Sequence, residues 1–120
     1  MNINFFDHTS NNKPALREDV RILDLRWELS PEKRRIALEF ELTPFIERPS
    51  IEIYISNGRG QKAGALTVIE TLDHTISLVV HLRDAEPTDP YTLKAAVYYT
   101  SIEQGKRQIV HTKTITFTVA

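Results

Sequence analysis

Apolar and polar residues alternate along this chain from Val20 to Val119, in short runs separated by turn-forming residues. Successive side chains of a β-strand point to opposite faces of the sheet, so a period of two is typical of a strand with one buried face. No stretch has a convincing helical period. The chain is therefore predicted to be all-β. The two clearest faces are formed by Leu23, Leu25, Trp27 and Leu29, and by Ile36, Leu38, Phe40 and Leu42.

The pattern predicts about seven strands, each bounded by turn residues. Asn57-Gly58-Arg59-Gly60 follows the third strand and is a strong hairpin signal, because glycine and asparagine tolerate positive φ. Strands that follow one another without crossover helices imply an antiparallel sandwich or barrel. We predict that strands one, two and five form one sheet and that strands three, four, six and seven form the other. The predicted strands cover residues 23–29, 35–42, 51–55, 62–70, 76–82, 91–100 and 109–119.

Residues 20–119 resemble an immunoglobulin-like or fibronectin type III β-sandwich in strand count and in the hairpin after the third strand. Pro90-Tyr91-Thr92-Leu93-Lys94-Ala95 is similar to the start of a sixth strand with a tyrosine corner, whose hydroxyl ties back to a nearby loop. The paired cysteines of antibody domains are absent, and the one tryptophan lies on the first strand. A rearranged sandwich or a small barrel stays an alternative. The resemblance implies binding or spacing roles and no chemistry.

Length and composition set the class of protein. The 120 residues fit one domain, assigned to residues 20–120, and residues 1–19 are predicted to form a tail or a loosely attached segment. A net charge of −1 supplies no field that would attract nucleic acid or an anionic membrane. The absence of cysteine fits a reducing compartment, so a cytoplasmic location is expected. Neither a signal peptide nor an apolar run of about 18 residues is present, so no membrane association is expected.

One glycine-rich segment and two basic clusters resemble ligand-binding motifs, but we interpret them as ordinary turns. Gly58-Arg59-Gly60 with Gly64 departs from a phosphate-binding loop, because the third glycine is one residue late and a strand follows where a helix is needed. Lys33-Arg34-Arg35 and Lys106-Arg107 are predicted at opposite ends of the sandwich. No continuous basic stripe results, and nucleic acid is not an expected partner.

The histidines do not predict a catalytic or metal site. His81 points outward on the fifth strand and His111 lies near the start of the seventh, so the predicted topology places them on different sheets. His8 lies in the leading segment. No serine has the Gly-x-Ser-x-Gly context of a nucleophile elbow. We expect a non-enzyme without cofactor or metal, an expectation that a deep pocket holding Asp73 and His74 together would overturn.

The outer faces of the two predicted sheets differ in charge, and one of them is the first candidate binding surface. The sheet of strands three, four, six and seven exposes Tyr54, Tyr98 and a row of threonines, and its fourth strand adds Leu66 and Val68, or else Thr67 and Ile69. Because protein contact surfaces are poor in charge and rich in tyrosine, we predict that this face binds a protein partner or a second copy of the chain. The alternative is that these residues are good strand formers. The other sheet exposes Asp24, Arg26, Glu28, Arg35, Glu39, Glu41 and His81.

The loop Thr43–Pro49 is the second candidate surface. It carries adjacent Phe45 and Ile46, together with Arg48, and is predicted at the same end as Asp73. Capping of the open end of the core is the more common role of such apolar residues. The alternative is a module that binds a small ligand or a carbohydrate through Phe45 and Arg48.

Overall fold

The computed structural model describes residues 13–101 and 105–120, and the alternating segments form two antiparallel sheets. One sheet has the order β1-β2-β5 and the other β4-β3-β6-β7. The all-β class and the division into these two sheets are confirmed. A 3-10 helix, Arg17–Asp19, precedes the strands, and within the described ranges no helix is long and apolar enough to cross a membrane. The strands are β1 (Ile22–Leu29), β2 (Arg35–Leu42), β3 (Ser50–Ser56), β4 (Lys62–Val68), β5 (Thr75–His81), β6 (Tyr91–Thr100) and β7 (Arg107–Phe117).

The core lies between the sheets and is built from the alternating aliphatic residues. Phe40 of β2 is fully buried and pairs across the sheet with Leu25 of β1 and Ile76 of β5. Each fully buried side chain of this kind contributes about 1.5–3 kcal/mol through removal of apolar surface from water. The side chains at 0% exposure include Ile36, Phe40, Leu42, Ile51, Ile53, Ile55, Leu93 and Val97.

The edge of the sandwich formed by β1 and β7 differs from the predicted pattern. A register shift between Ile22 and Asp24 turns Leu23 out of the core, where it is 57% exposed, and Ile22 is buried instead. Trp27 faces the inner side but remains 41% exposed, because β1 is an edge strand. Its ring contacts Phe117 of β7, with ring centroids 5.3 Å apart. Part of the first strand's predicted apolar face is therefore solvent-exposed.

The start of β6 forms the hydroxyl contact that the sequence predicts. Tyr91 is 1% exposed, and its hydroxyl accepts a hydrogen bond from the Thr88 N–H (2.9 Å) and donates one to Asp84 Oδ2 (2.8 Å). Asn57 Nδ2 donates to the same carboxylate oxygen at 3.1 Å. These hydrogen bonds, from Tyr91 and then from Asn57, lower the pKa of Asp84. The β3–β4 hairpin, the β5–β6 loop and β6 are thereby joined at one end of the sandwich.

Candidate functional site

The outer face of the four-stranded sheet carries fewer charged residues than the outer face of the three-stranded sheet. The strand register aligns Ala65, Tyr54, Lys94 and Thr114 in one row across the four strands. Tyr54 lies in the middle of this row with 44% of its surface exposed. The threonines of β7 are exposed, as predicted, at positions Thr112, Thr114 and Thr116. The centre of the face therefore consists of one tyrosine ring with Lys94 beside it on β6, and with small or hydroxyl-bearing side chains on β4 and β7.

Tyr98 lies on the same face but is covered. It is 3% exposed, because the guanidinium of Arg107 lies 4.4 Å from the ring centroid and is held there by Glu52 at 2.9 Å. The hydrogen bond with Glu52 raises the pKa of Arg107. The prediction that Tyr98 is exposed is wrong, since the sequence pattern gave its face but not the ion pair above it. Of the two predicted anchors, Tyr54 alone presents its ring to solvent.

Of the two pairs predicted as alternatives for the fourth strand, Leu66 and Val68 or Thr67 and Ile69, the first does not lie on this face and Thr67 of the second does. Leu66 lies opposite Ile53 and Val68 opposite Ile51, so both face the inner side with the buried isoleucines. Thr67 is exposed on the outer face, and Ile69, just beyond β4, is 65% exposed. The placement of Leu66 and Val68 on the outer face is wrong. Residues 66–69 are apolar or small on both faces, so only the pairing register decides which side is buried.

The outer face of the three-stranded sheet is charged and paired, as the sequence indicates. Arg26 forms ion pairs with Asp24 and with Glu39 on the neighbouring strand. Sequence reasoning omitted Val79, which is 51% exposed in the centre of this face next to Ala37. The alternation itself contained the signal, because buried Val80 places Val79 on the opposite side.

A groove of about 540 Å³ lies at the end of the sandwich that carries the Thr43–Pro49 loop. Arg48, predicted as a binding residue, is exposed and lines it. Phe45 does not line it; its backbone forms a bridge with Ala15 and its side chain packs against the core, as expected of a residue that caps the open end. The lining residues are Arg17, Ile46, Glu47, Arg48, Ser50, Ile69, Glu70, Tyr99 and Thr100.

One wall of this groove is held by a network of polar contacts. The Tyr99 hydroxyl donates to the Glu47 carbonyl oxygen at 2.9 Å, and the guanidinium of Arg17 lies 4.8 Å from the centroid of the Tyr99 ring. Arg17 also pairs with the Glu47 carboxylate at 2.7 Å. The hydrogen bond from Arg17 lowers the pKa of Glu47, and burial raises the pKa of Tyr99. The wall is therefore ordered before any ligand arrives.

The histidines of the described residues lie at separate places in the fold. Across residues 13–101 and 105–120, no group of three or more histidine, cysteine, aspartate or glutamate side chains could hold a metal ion. Asp73 and His74 are both exposed on the β4–β5 loop, and His81 is exposed on β5. His8 and the rest of residues 1–12 lie outside the described residues.

His111 has a structural role at the edge between the two sheets. Its Nδ1 accepts a hydrogen bond from the Ile22 N–H at 2.8 Å, which ties β7 to β1. Burial, and then the positive charges of Arg21 and Lys113, lower the pKa of His111. A protonated Nδ1 cannot accept the Ile22 N–H, so the neutral ring is the form that fits this edge.

This edge predicts a loss of stability in mild acid. Because the folded-state pKa of His111 lies below the unfolded value of about 6.5, its contribution is complete above about pH 6.5 and is lost as the pH falls through the folded value. We expect a loss of about 1 kcal/mol, the worth of one hydrogen bond, as the pH falls from about 7 through the folded-state pKa. Urea unfolding at several pH values measures it. His111→Gln should flatten this dependence and His81→Gln should not; equal slopes in all three proteins would contradict the prediction.

Comparison with known proteins finds similar folds among solved structures and no matching family. No protein-family model matches the chain, and no curated protein matches it. Among solved structures it is similar to a β-glucuronidase of Bifidobacterium dentium in complex with coumarin-3-O-glucuronide, with a TM-score of 0.61 and 18% identity. That match covers 84% of this chain and 18% of the glucuronidase. A β-glucuronidase of Ruminococcus gnavus in complex with D-glucuronic acid gives a TM-score of 0.46 and 10% identity, over 84% of this chain and 16% of that one.

The two antiparallel sheets and this similarity show that the chain has a β-sandwich fold, and they assign no specific family. The chain spans less than a fifth of the length of the glucuronidases that it resembles.

Proposed function

We propose that this chain is a non-catalytic interaction module that binds a protein, either a partner or a second copy of itself, through the outer face of the four-stranded sheet. The observation that carries the proposal is the contrast between the two faces. Tyr54 is 44% exposed on a face rich in threonine and alanine, which also carries Lys94 and the Arg107–Glu52 ion pair. The opposite face carries more charged residues and is crossed by the two ion pairs of Arg26. Contact surfaces are depleted in charge and enriched in tyrosine at their centre.

The small area of this face indicates a weak association. Four strands about 4.8 Å apart and about eight residues long span roughly 20 by 26 Å, or about 500 Å² per copy. Two such faces bury about 1,000 Å² in total, which is below the size of standard interfaces. We therefore expect weak, reversible association in the micromolar range or above.

The fold likeness supports a modular role. The glucuronidase of Bifidobacterium dentium contains a similar sandwich within 18% of its length. In that enzyme a sandwich of this kind is one part of a much longer chain, which is consistent with a module that works together with other domains.

Paired substitutions on the two faces test this function. Tyr54→Asp places a charge at the centre of the proposed contact and should weaken association at least about tenfold. Val79→Asp is the matched control, since Val79 is 51% exposed at the centre of the other sheet. Sedimentation velocity from micromolar to millimolar concentration measures self-association, and a photo-crosslinking residue at position 54 or 79 reports partners in cells that make the protein. A monomer at every concentration, with no crosslink specific to position 54, would overturn the proposal.

A small-ligand or carbohydrate module at the loop end is the second candidate function. The groove of about 540 Å³ beside Arg48 favours it, since ligand sites commonly have volumes of about 300–1,000 Å³. A thermal-shift screen tests it, because a specific ligand raises the apparent melting temperature.

A further inference from the structure

The loop-end groove has apolar side chains on both of its sides. Ile46 on the β2–β3 loop is 63% exposed and Ile69 on the β4–β5 loop is 65% exposed, and both line the groove. Burial of an exposed aliphatic side chain is favourable by about 1.5–3 kcal/mol. A ligand that covers Ile46 and Ile69 would gain part of this free energy. The space between them therefore suits an apolar side chain of a ligand.

The groove also carries two charges of opposite sign that are unpaired among the residues that the structure describes. Arg48 and Glu70 both line it, and neither belongs to any ion pair formed among residues 13–101 and 105–120. Arg17 and Glu47, in the same lining, neutralise each other. A ligand is thus met by one guanidinium and one carboxylate that form no ion pair within the described part of the chain, together with the apolar surface of the two isoleucines.

The backbone at Glu70 is strained in a way that fixes the groove. Glu70 has a φ of 47°, in the left-handed region that non-glycine residues occupy at a cost of about 1–3 kcal/mol. The Glu70 N–H donates to Ser50 Oγ at 3.0 Å, and the Thr71 N–H donates to the Pro49 carbonyl oxygen at 2.9 Å. These bonds lock the two loops together. A ligand therefore enters a preformed site and loses less affinity to ordering.

We infer that this groove binds an extended peptide segment of a partner protein, with an apolar side chain between Ile46 and Ile69, an acidic group at Arg48 and a basic group at Glu70. A carbohydrate fits less well, because the aromatic ring of the lining, Tyr99, is 4% exposed and Arg17 lies over it. Among the described residues that line the groove, no aromatic plane is therefore open to a sugar ring. The site is separate from the sheet face around Tyr54, so either proposal can fail without the other.

A phage-displayed library of random peptides, selected on the full chain, tests this inference. The expected consensus has a central aliphatic or aromatic residue with an acidic residue on one side and a basic residue on the other. One synthetic peptide from the selection is then titrated by fluorescence anisotropy. Ile46→Asp should weaken its binding at least about tenfold, the size expected for a central contact, and Val79→Asp and Tyr54→Asp should leave it unchanged.

A charge exchange makes the test specific to this groove. In the double variant Arg48→Glu with Glu70→Arg, a repeated selection should return the reversed order of acidic and basic residues. Both side chains are exposed, so the variant should fold, which thermal melting checks. The inference is overturned if the library yields no binder, if Ile46→Asp leaves the titrated peptide's affinity unchanged, or if the exchanged protein selects the original order. Binding on a glycan array that Ile46→Asp abolishes would overturn it in favour of a carbohydrate site.

Discussion

Gly58→Ala is expected to destabilise the protein by about 3 kcal/mol or more, because the change forces backbone against backbone. The Gly58 N–H donates to the Thr88 carbonyl oxygen at 2.7 Å, which draws the β3–β4 hairpin against the β5–β6 loop. A Cβ at position 58 would lie 2.8 Å from the Asp89 carbonyl carbon and closer still to the Asp89 carbonyl oxygen. Main-chain atoms cannot turn aside as a side chain can, so this whole end of the sandwich must shift.

Gly60→Ala is the matched control for this prediction. Gly60 lies in the same hairpin with a φ of 77°, and an added Cβ would meet no atom within 4 Å. Its cost is conformational only, about 1–2 kcal/mol. Urea unfolding followed by circular dichroism gives both values. A Gly58→Ala protein no less stable than the Gly60→Ala protein would show that the two loops are not packed this closely.

Phe117→Ala is expected to cost about 3–5 kcal/mol, the usual range for removing a buried aromatic side chain. Phe117 is 3% exposed and lies between two rings, 5.3 Å from Trp27 and 5.5 Å from Tyr91. Its ring therefore contacts β1, the edge strand of the three-stranded sheet, through Trp27, and β6 through Tyr91. Its loss therefore opens a cavity between the two sheets.

The single tryptophan of the chain reports on the same change. Without Phe117 the indole of Trp27 loses its ring neighbour, so the folded variant's fluorescence should shift to the red. Phe117→Leu keeps most of the volume and should cost less than about 1.5 kcal/mol with little shift. A Phe117→Ala protein with native stability and native emission would exclude this contact as a link between the sheets.

The fold was predictable because apolar and polar residues alternate regularly along most of the strands. The alternation through Ile36, Leu38, Phe40 and Leu42 assigned the inner face of β2 correctly, and the division into sheets followed. At Leu23 it failed, because a register shift in β1 reverses the side that the residue faces. An irregularity of this kind depends on how two strands pair, and a pattern read along one strand does not contain it.

The candidate site was less predictable, because exposure depends on residues far away in sequence. Tyr98 was assigned to the correct face, but Glu52 and Arg107, which cover it, come from two other strands. Residues 66–69 could be read either way, and only pairing with β3 resolved them. The groove depends on two loops that meet through Pro49 and Thr71, so Ile69 and Arg48 become neighbours only in three dimensions.

The order in which strands become neighbours governs how this chain folds. Three hairpins, β1–β2, β3–β4 and β6–β7, can close from adjacent residues, but each sheet is completed by a distant pairing. Arg35 must meet His81, and Ser50 must meet Tyr98. Closing such long loops is slow, as in other sandwiches that fold in milliseconds to seconds. During synthesis on the ribosome, neither sheet can therefore be completed until most of the polypeptide has emerged. Until then, the apolar faces of the hairpins that form first stay exposed to solvent.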